Sequence, residues 1–342
     1  MALHNLSVQS LTTLSPFDID YIFACYTIHL ATGHTFYSRR IQTDTIKRYL
    51  KAAHCPVRRN PTSTFSRLVF PPLVQDILTE HSRWESVPNR REPVTMEMVR
   101  FWQKRASTAH QDSFDAAFFD WIVIGIQAGF RKSEWVQDSH HFRSTGHFSL
   151  NRDGSSKAFI ASDFSFIPLS PAQQLTHPSS STPHSQVSLT WRFQKNNQNN
   201  QRISFNHNFS NELFSPVLAA QRILDRARRL QVPPHHPVSV FSHDKKLQFM
   251  HHNLIETTLR KAATAVYKIT SQKALQLFSC HSIRVGACVI LHAAQKDPLF
   301  IQFRLRWRST SFIVYLRNTP RVAAIHNDLI NTINTDDLTI TT

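Results

Sequence analysis

Ala116 to Phe130 is the longest apolar run in the chain, and Asp120 and Gln127 interrupt it. A helix that crosses a bilayer needs about 20 predominantly apolar residues, so this run is too short and too polar to span one. It reads instead as a buried helix over Phe114 to Gln127, with Phe118, Trp121, Ile122 and Ile126 among its apolar residues and Gly129 placed to end it. A buried helix needs a core around it. With 41% hydrophobic residues in 342, the chain can build one, which excludes wholesale disorder, and its length suits one large or two moderate domains.

The rest of the chain predicts mainly α structure with a small β-sheet, an α+β class. Residues 1–15 read as a loose leader. From 16 to 82 the pattern is helical: Asp18 to Leu30 is rich in aromatic and aliphatic residues, and Thr43 can cap a helix with Ile46, Tyr49 and Leu50 at helical spacing. Pro56, Pro61 and Pro71-Pro72 are expected to break the chain before a helix restarts at Leu73. Residues 83–93 carry two prolines, several arginines and no apolar periodicity, and read as a linker.

From 94 to 320 a second domain is expected. Thr95 caps a helix to about Arg105, and residues 157–168 alternate like a strand. Residues 169–185 are Ser/Pro/Thr-rich and read as a mobile surface loop. Gln186–Gln194 and Arg202–Phe205 are strand-like runs joined by a polar turn. Helices are expected over Pro216–Leu230, Asn253–Tyr267 and Val285–Ala294, with a short one from Pro298. A last helix, capped by Ser309, would carry Tyr315. Over 321–342, Val322, Ile325, Leu329, Ile330 and Ile333 have the spacing of an apolar helix face.

The net charge is +16, which favours a polyanionic partner, DNA or RNA first and an anionic membrane second. The helix 216–230 carries Arg222, Arg226 and Arg229, which could lie along phosphates or simply face solvent. The four cysteines lack Cys-x-x-Cys spacing, so neither a zinc site nor a disulfide framework is expected, and a reducing compartment fits them. The opening residues lack a charged and then apolar pattern, so no signal peptide is expected. No carboxylate cluster suits magnesium, and no metal or cofactor is expected.

One set of residues carries chemistry. His281 and Arg284 stand one helical turn apart and share a face. Arg131 follows the buried helix, with Glu134 three residues on as support rather than as a catalytic acid. Lys195 sits in the polar turn, and Trp307 and Tyr315 follow near the end. Two guanidiniums can hold the non-bridging oxygens of a phosphodiester, a Tyr hydroxyl can attack phosphorus, and Lys and His can move protons. Read singly, each has an ordinary alternative: a surface Arg, a solvated Lys, a core Trp, a helix-face Tyr.

Taken together and in this order, the residues resemble the catalytic half of the tyrosine recombinases of the phage-integrase group, and most of all the Crypton-type recombinases of eukaryotic mobile elements. Arg131 and Glu134, Lys195, His281 and Arg284, Trp307 and Tyr315 match the family's boxes, and Gly286 fits the small residue after His-x-x-Arg. The resemblance covers roughly Arg131 to Arg317. The chain departs from the family where Leu-Gly-His reads Leu305-Arg306-Trp307, and its Trp-to-Tyr spacing is one shorter than in many members.

The resemblance implies a helical core-binding domain that grips duplex DNA and a catalytic domain in which Tyr315 forms a 3′-phosphotyrosyl link without metal or ATP. It implies Lys195 as acid to the leaving 5′-oxygen and the Trp307 indole N–H as donor to a phosphate oxygen. It also implies a homo-oligomer on DNA, a tetramer, with no membrane role, in the nucleus of a eukaryote or otherwise the cytoplasm. A DNA-binding protein without chemistry, a type IB topoisomerase and a basic helical scaffold remain as rival readings.

Overall fold

A computed structural model describes residues 15–33, 41–58, 70–85, 90–137, 156–178, 180–192 and 199–316. The protein is mainly helical with small antiparallel sheets. It divides into two compact units, Met1–Pro88 and Asn89–Thr342. No helix among the described residues is long and apolar enough to cross a membrane.

The first unit packs α1 (Pro16–Ala31), α2 (Thr43–Arg58) and α3 (Pro72–Arg83) around Ile19, Phe23, Leu30, Ile46, Leu50, Val74 and Leu78. Ser15 caps α1 by accepting the Asp18 N–H at 3.2 Å, and Pro16 takes a first-turn place that needs no donor. Two expectations need correcting. α2 continues through Pro56 to Arg58, because a proline in the last turn removes only one bond near the helix end. Thr43 is the first helical residue and not its cap: the Gln42 carbonyl accepts the Thr45 and Ile46 N–H groups at 2.8 and 3.0 Å, and the Thr43 N–H donates to Glu85.

The second unit is built around α5 (Phe114–Ala128), which follows α4 (Met96–Thr108). Most of α5 is buried, from Ala117 to Ile126, as its near-continuous apolar sequence requires. Ser113 caps its start by accepting the Ala116 N–H at 3.3 Å. Gly129 ends it in the left-handed region at φ 58°, with its N–H on the Gly125 carbonyl at 2.8 Å. A one-turn helix, α6 (Lys132–Trp135), follows. Its Trp135 joins Trp121, Phe130, Phe159, Phe164 and Trp191 in an aromatic cluster with stacked, edge-on and tilted contacts.

Strands β1 (Phe164–Pro168), β2 (His184–Trp191) and β3 (Gln201–Asn206) form one antiparallel sheet, in which Leu189 lies opposite Phe164 on one side and Ile203 on the other. Val187, Leu189 and Trp191 alternate inward, as the period of two demands. The segment expected as a loop instead holds a short helix, α7 (Pro171–Thr176). Ser170 and Gln173 form its capping box, a local signal that the Ser/Pro/Thr composition hides.

Beyond the sheet come α8 (Pro216–Arg229), the hairpin β4 (Val240–His243) and β5 (Lys246–Phe249), α9 (His252–Tyr267), α10 (Gln272–Leu275), α11 (His281–Ala293) and α12 (Pro298–Arg304). The β4–β5 turn was not legible. Asp244 and Lys245 take φ of 48° and 60°, the mirror-image turn that glycine or asparagine normally announces.

α8 corrects a further expectation. Arg226 is buried, with Nη2 on the Asp120 carboxylate at 2.6 Å and Nε on the Gln111 carbonyl at 2.9 Å, so it does not face a phosphate backbone. Arg222 is bonded to the same Asp120 at 2.6 Å, and Arg229 to Asp112 at 2.6 Å. Asp120, the residue that interrupts the apolar run, is thus the buried counter-charge of this helix pair.

Candidate active site

The start of α11 is fixed by a close backbone approach. The Val94 N–H donates to the Ser282 carbonyl at 3.0 Å, and a Cβ at Gly286 would overlap the Val94 carbonyl, so only glycine fits there. α11 begins at His281, four residues earlier than its apolar pattern suggests, which puts His281 in the first turn and Arg284 one turn on. Arg284 is only 2% exposed. It donates to the Gly129 carbonyl, to the Leu305 carbonyl at 2.6 Å and to the Arg306 carbonyl at 3.3 Å. Its guanidinium also lies 4.3 Å from the Trp307 ring centroid. Burial, and then the neighbouring Arg306, push the Arg284 pKa down to about 9, which leaves it charged at pH 7.

Arg131 arrives from the other side, directly after Gly129. Its Nη1 donates to Glu134 at 3.1 Å, its own N–H to the same carboxylate at 2.9 Å, and its Nη2 to the Arg306 carbonyl at 3.1 Å. Its side chain keeps 20% exposure, so of the two expected clamp arginines it has the surface to meet a ligand. Glu134 is buried. Burial alone would raise its pKa, but Arg306, the Arg131 N–H and charge, and Arg284 hold it below the usual carboxylate range.

Tyr315 lies in a 3-10 helix, Thr310–Tyr315, and not in the α-helix that Ser309 was expected to cap. The Ser309 hydroxyl donates to Ser311 instead, at 3.1 Å. The Tyr315 hydroxyl meets His281 Nε2 at 3.3 Å, and the Arg90 guanidinium donates to the preceding carbonyl, of Val314, at 2.9 Å. Burial and then Cys288 raise the Tyr315 pKa overall, against the opposite pull of Arg90, Arg91 and Arg284. His281 is driven down to about 4, first by burial and then by Arg284, Arg91 and Arg131, so it is neutral at pH 7.

Trp307 differs from expectation in orientation. Its indole N–H is buried on the side of the Cys288 thiol, so it does not point out toward a phosphate. Its ring forms a plate between Arg284 and the rings of Phe312, His281 and Tyr315, with centroids 6.0, 6.2 and 6.3 Å away. Cys288 and Cys280, raised by burial to about 11 and 12, remain thiols at neutral pH.

Arg131, Glu134, His281, Arg284, Trp307 and Tyr315 therefore meet at one place. Lys195 lies outside the described residues. Sequence reading missed Arg306, which is buried with Nη2 on Glu134 at 3.2 Å and its guanidinium 3.8 Å from the Trp191 ring centroid. The site holds three guanidiniums against one carboxylate, an excess positive charge suited to an anion. Among the described residues, no group of three or more His, Cys, Asp or Glu could hold a metal ion.

No family model and no curated protein matches the chain. Among solved structures it is similar to the Tn1549 transposon integrase in complex with transposon right end DNA, at 11% identity and TM-score 0.46, over 95% of this chain and 85% of that one. It is also similar to the XerH site-specific recombinase bound to palindromic difH substrate, at 9% identity and TM-score 0.48, over 94% of this chain and 74% of that one.

Proposed function

We propose that the chain is a site-specific DNA recombinase of the tyrosine type, derived from a Crypton-like mobile element, that cleaves and rejoins DNA through a 3′-phosphotyrosyl intermediate. The observation that carries this reading is the contact of the Tyr315 hydroxyl with His281 Nε2 at 3.3 Å, beside the Arg131 and Arg284 guanidiniums. Tyr315 attacks the scissile phosphorus, and the bond from phosphorus to the 5′-oxygen breaks. The phenolic proton passes to neutral His281. The leaving oxygen takes a proton, for which Lys195 is the proposed donor, and departs as a 5′-hydroxyl. One phosphate ester replaces another, so bond energy is kept and no ATP is consumed. Attack by a partner strand's 5′-hydroxyl reverses the step. Charge that builds on the non-bridging oxygens is met by guanidiniums already in place. Exchange of four strand ends calls for a homo-oligomer, a tetramer on DNA, with the helical first unit gripping the duplex; the apolar stripe expected over 321–342 lies outside the described residues.

The test is covalent trapping on a random-sequence duplex library, with adducts recovered after denaturation. Tyr315→Phe should keep duplex affinity, because one hydroxyl contributes little to a largely electrostatic interface, and should form no adduct. Adduct at the wild-type level from this variant would overturn the assignment. The burial of Arg284 against three carbonyls favours a second reading, a DNA-binding protein without chemistry. Binding by the wild type with no adduct selects that reading. Relaxation of a plasmid lacking any recombination site selects a topoisomerase.

A further inference from the structure

Arg306 stands in the left-handed region at φ 57°, where a residue with a Cβ is disfavoured. It does so at the centre of the site. From this backbone its carbonyl accepts Arg131 Nη2 at 3.1 Å and Arg284 Nη2 at 3.3 Å. Its side chain meets Glu134 at 3.2 Å and the Ala128 carbonyl at 3.2 Å, and lies 3.8 Å from the Trp191 ring centroid. Glu134 in turn holds Arg131, through Nη1 at 3.1 Å and the backbone N–H at 2.9 Å. One residue therefore reaches Arg131 twice, directly by its carbonyl and indirectly through Glu134. A glycine would adopt this backbone without strain and would still offer the carbonyl. It would lack the guanidinium beside Glu134 and the contact with strand β2 at Trp191.

We propose that Arg306 is a positioning residue that fixes Glu134, and through it the Arg131 guanidinium, against strand β2. Without its side chain, Glu134 loses a buried counter-charge and is left to compete for the fork of Arg131. The consequence for chemistry rests on the recombinase reading; the positioning itself does not. Arg284 donates to the 306 carbonyl, which any residue supplies, so the side-chain effect falls on Arg131.

Arg306→Gly and Arg306→Lys in the full-length protein test this with two readouts. The first is side-chain ¹⁵N NMR of Arg131. Rotation of its guanidinium should be hindered in the wild type and averaged in Arg306→Gly. The second is cleavage of a trapped duplex carrying either the natural phosphodiester or a neutral methylphosphonate at the scissile position. On the phosphodiester, Arg306→Gly should cleave about 100-fold more slowly, the loss that a small misplacement of a clamp produces. On the methylphosphonate, which lacks the non-bridging charge that Arg131 meets, most of that loss should disappear, as it should for Arg131→Ala. Unchanged Arg131 signals, or an equal loss on both substrates, would overturn the proposal. If Arg306→Gly does not fold, Arg306→Lys, which keeps the charge but not the fork, is judged by the same two readouts. Averaged Arg131 signals in the variant of a chain that forms no adduct would leave the positioning standing and sink the recombinase reading.

Discussion

His281 couples the site to pH. Its folded pKa of about 4 lies below the ordinary imidazole value of 6.5, because burial and the Arg284, Arg91 and Arg131 charges oppose its protonation. Between these values the unfolded chain binds the proton and the folded chain does not, so stability rises with pH across that window. The penalty is absent above about pH 6.5, grows as pH falls, and saturates near roughly 3 kcal/mol below pH 4. His281→Asn should therefore flatten the fall in melting temperature between pH 7 and pH 4 relative to the wild type. Parallel curves for the two proteins would show that His281 is not held neutral by the fold. The residue types of the site were legible because Arg131, His281, Arg284, Trp307 and Tyr315 occur in a chemically coherent order. Their orientations were not. Whether the Trp307 N–H points to solvent or into the core depends on Phe312 and Arg284, which only packing determines. The role of Arg306 was not legible, since nothing local announces a partner at Glu134, far back in the chain.

At the scale of elements, local chemistry made α5 readable. Ser113 at one end, Gly129 at the other and an apolar run between them leave little alternative to a buried helix. α7 was missed because its Ser170–Gln173 box lies inside a low-complexity stretch, and the β4–β5 hairpin because Asp244 and Lys245 adopt a turn that glycine usually marks. The basic face of α8 was misread for a related reason: the counter-charge of Arg226 is on another helix. This pairing makes a prediction. Asp120→Ala leaves the Arg226 guanidinium buried without its carboxylate and should cost about 3–5 kcal/mol in urea unfolding. Replacing the pair together, Asp120→Leu with Arg226→Met, should recover most of that loss, since two well-packed apolar residues need no compensating charge. A loss below about 1 kcal/mol for the single variant would mean that Arg226 finds water or another acceptor.

Across the whole molecule the controlling quantity is charge, a net +16 over 342 residues, and some of the arginines behind it are buried inside the fold. Arg226 is buried on Asp120, and Arg284 and Arg306 are buried around Glu134, so none of the three is a surface cation. The cations that remain at the surface are those that phosphates can reach, and each phosphate neutralised releases condensed counterions. Binding to duplex DNA should therefore weaken steeply with salt. For about 6–10 phosphate contacts, affinity should fall by about 10³–10⁵ between 50 and 200 mM salt. The fragment 89–342 contains its own core and every described site residue, so it should fold alone and bind with a shallower slope in log affinity against log salt. Equal slopes for fragment and full chain would show that residues 1–88 make no phosphate contacts, leaving the helical first unit without a role in gripping DNA. A flat titration for the full chain would sink the phosphate-binding reading altogether. Arg226→Met, by contrast, should leave the slope unchanged wherever the protein still folds, because a guanidinium already held by Asp120 and the Gln111 carbonyl neutralises no phosphate and so releases no counterion from the DNA.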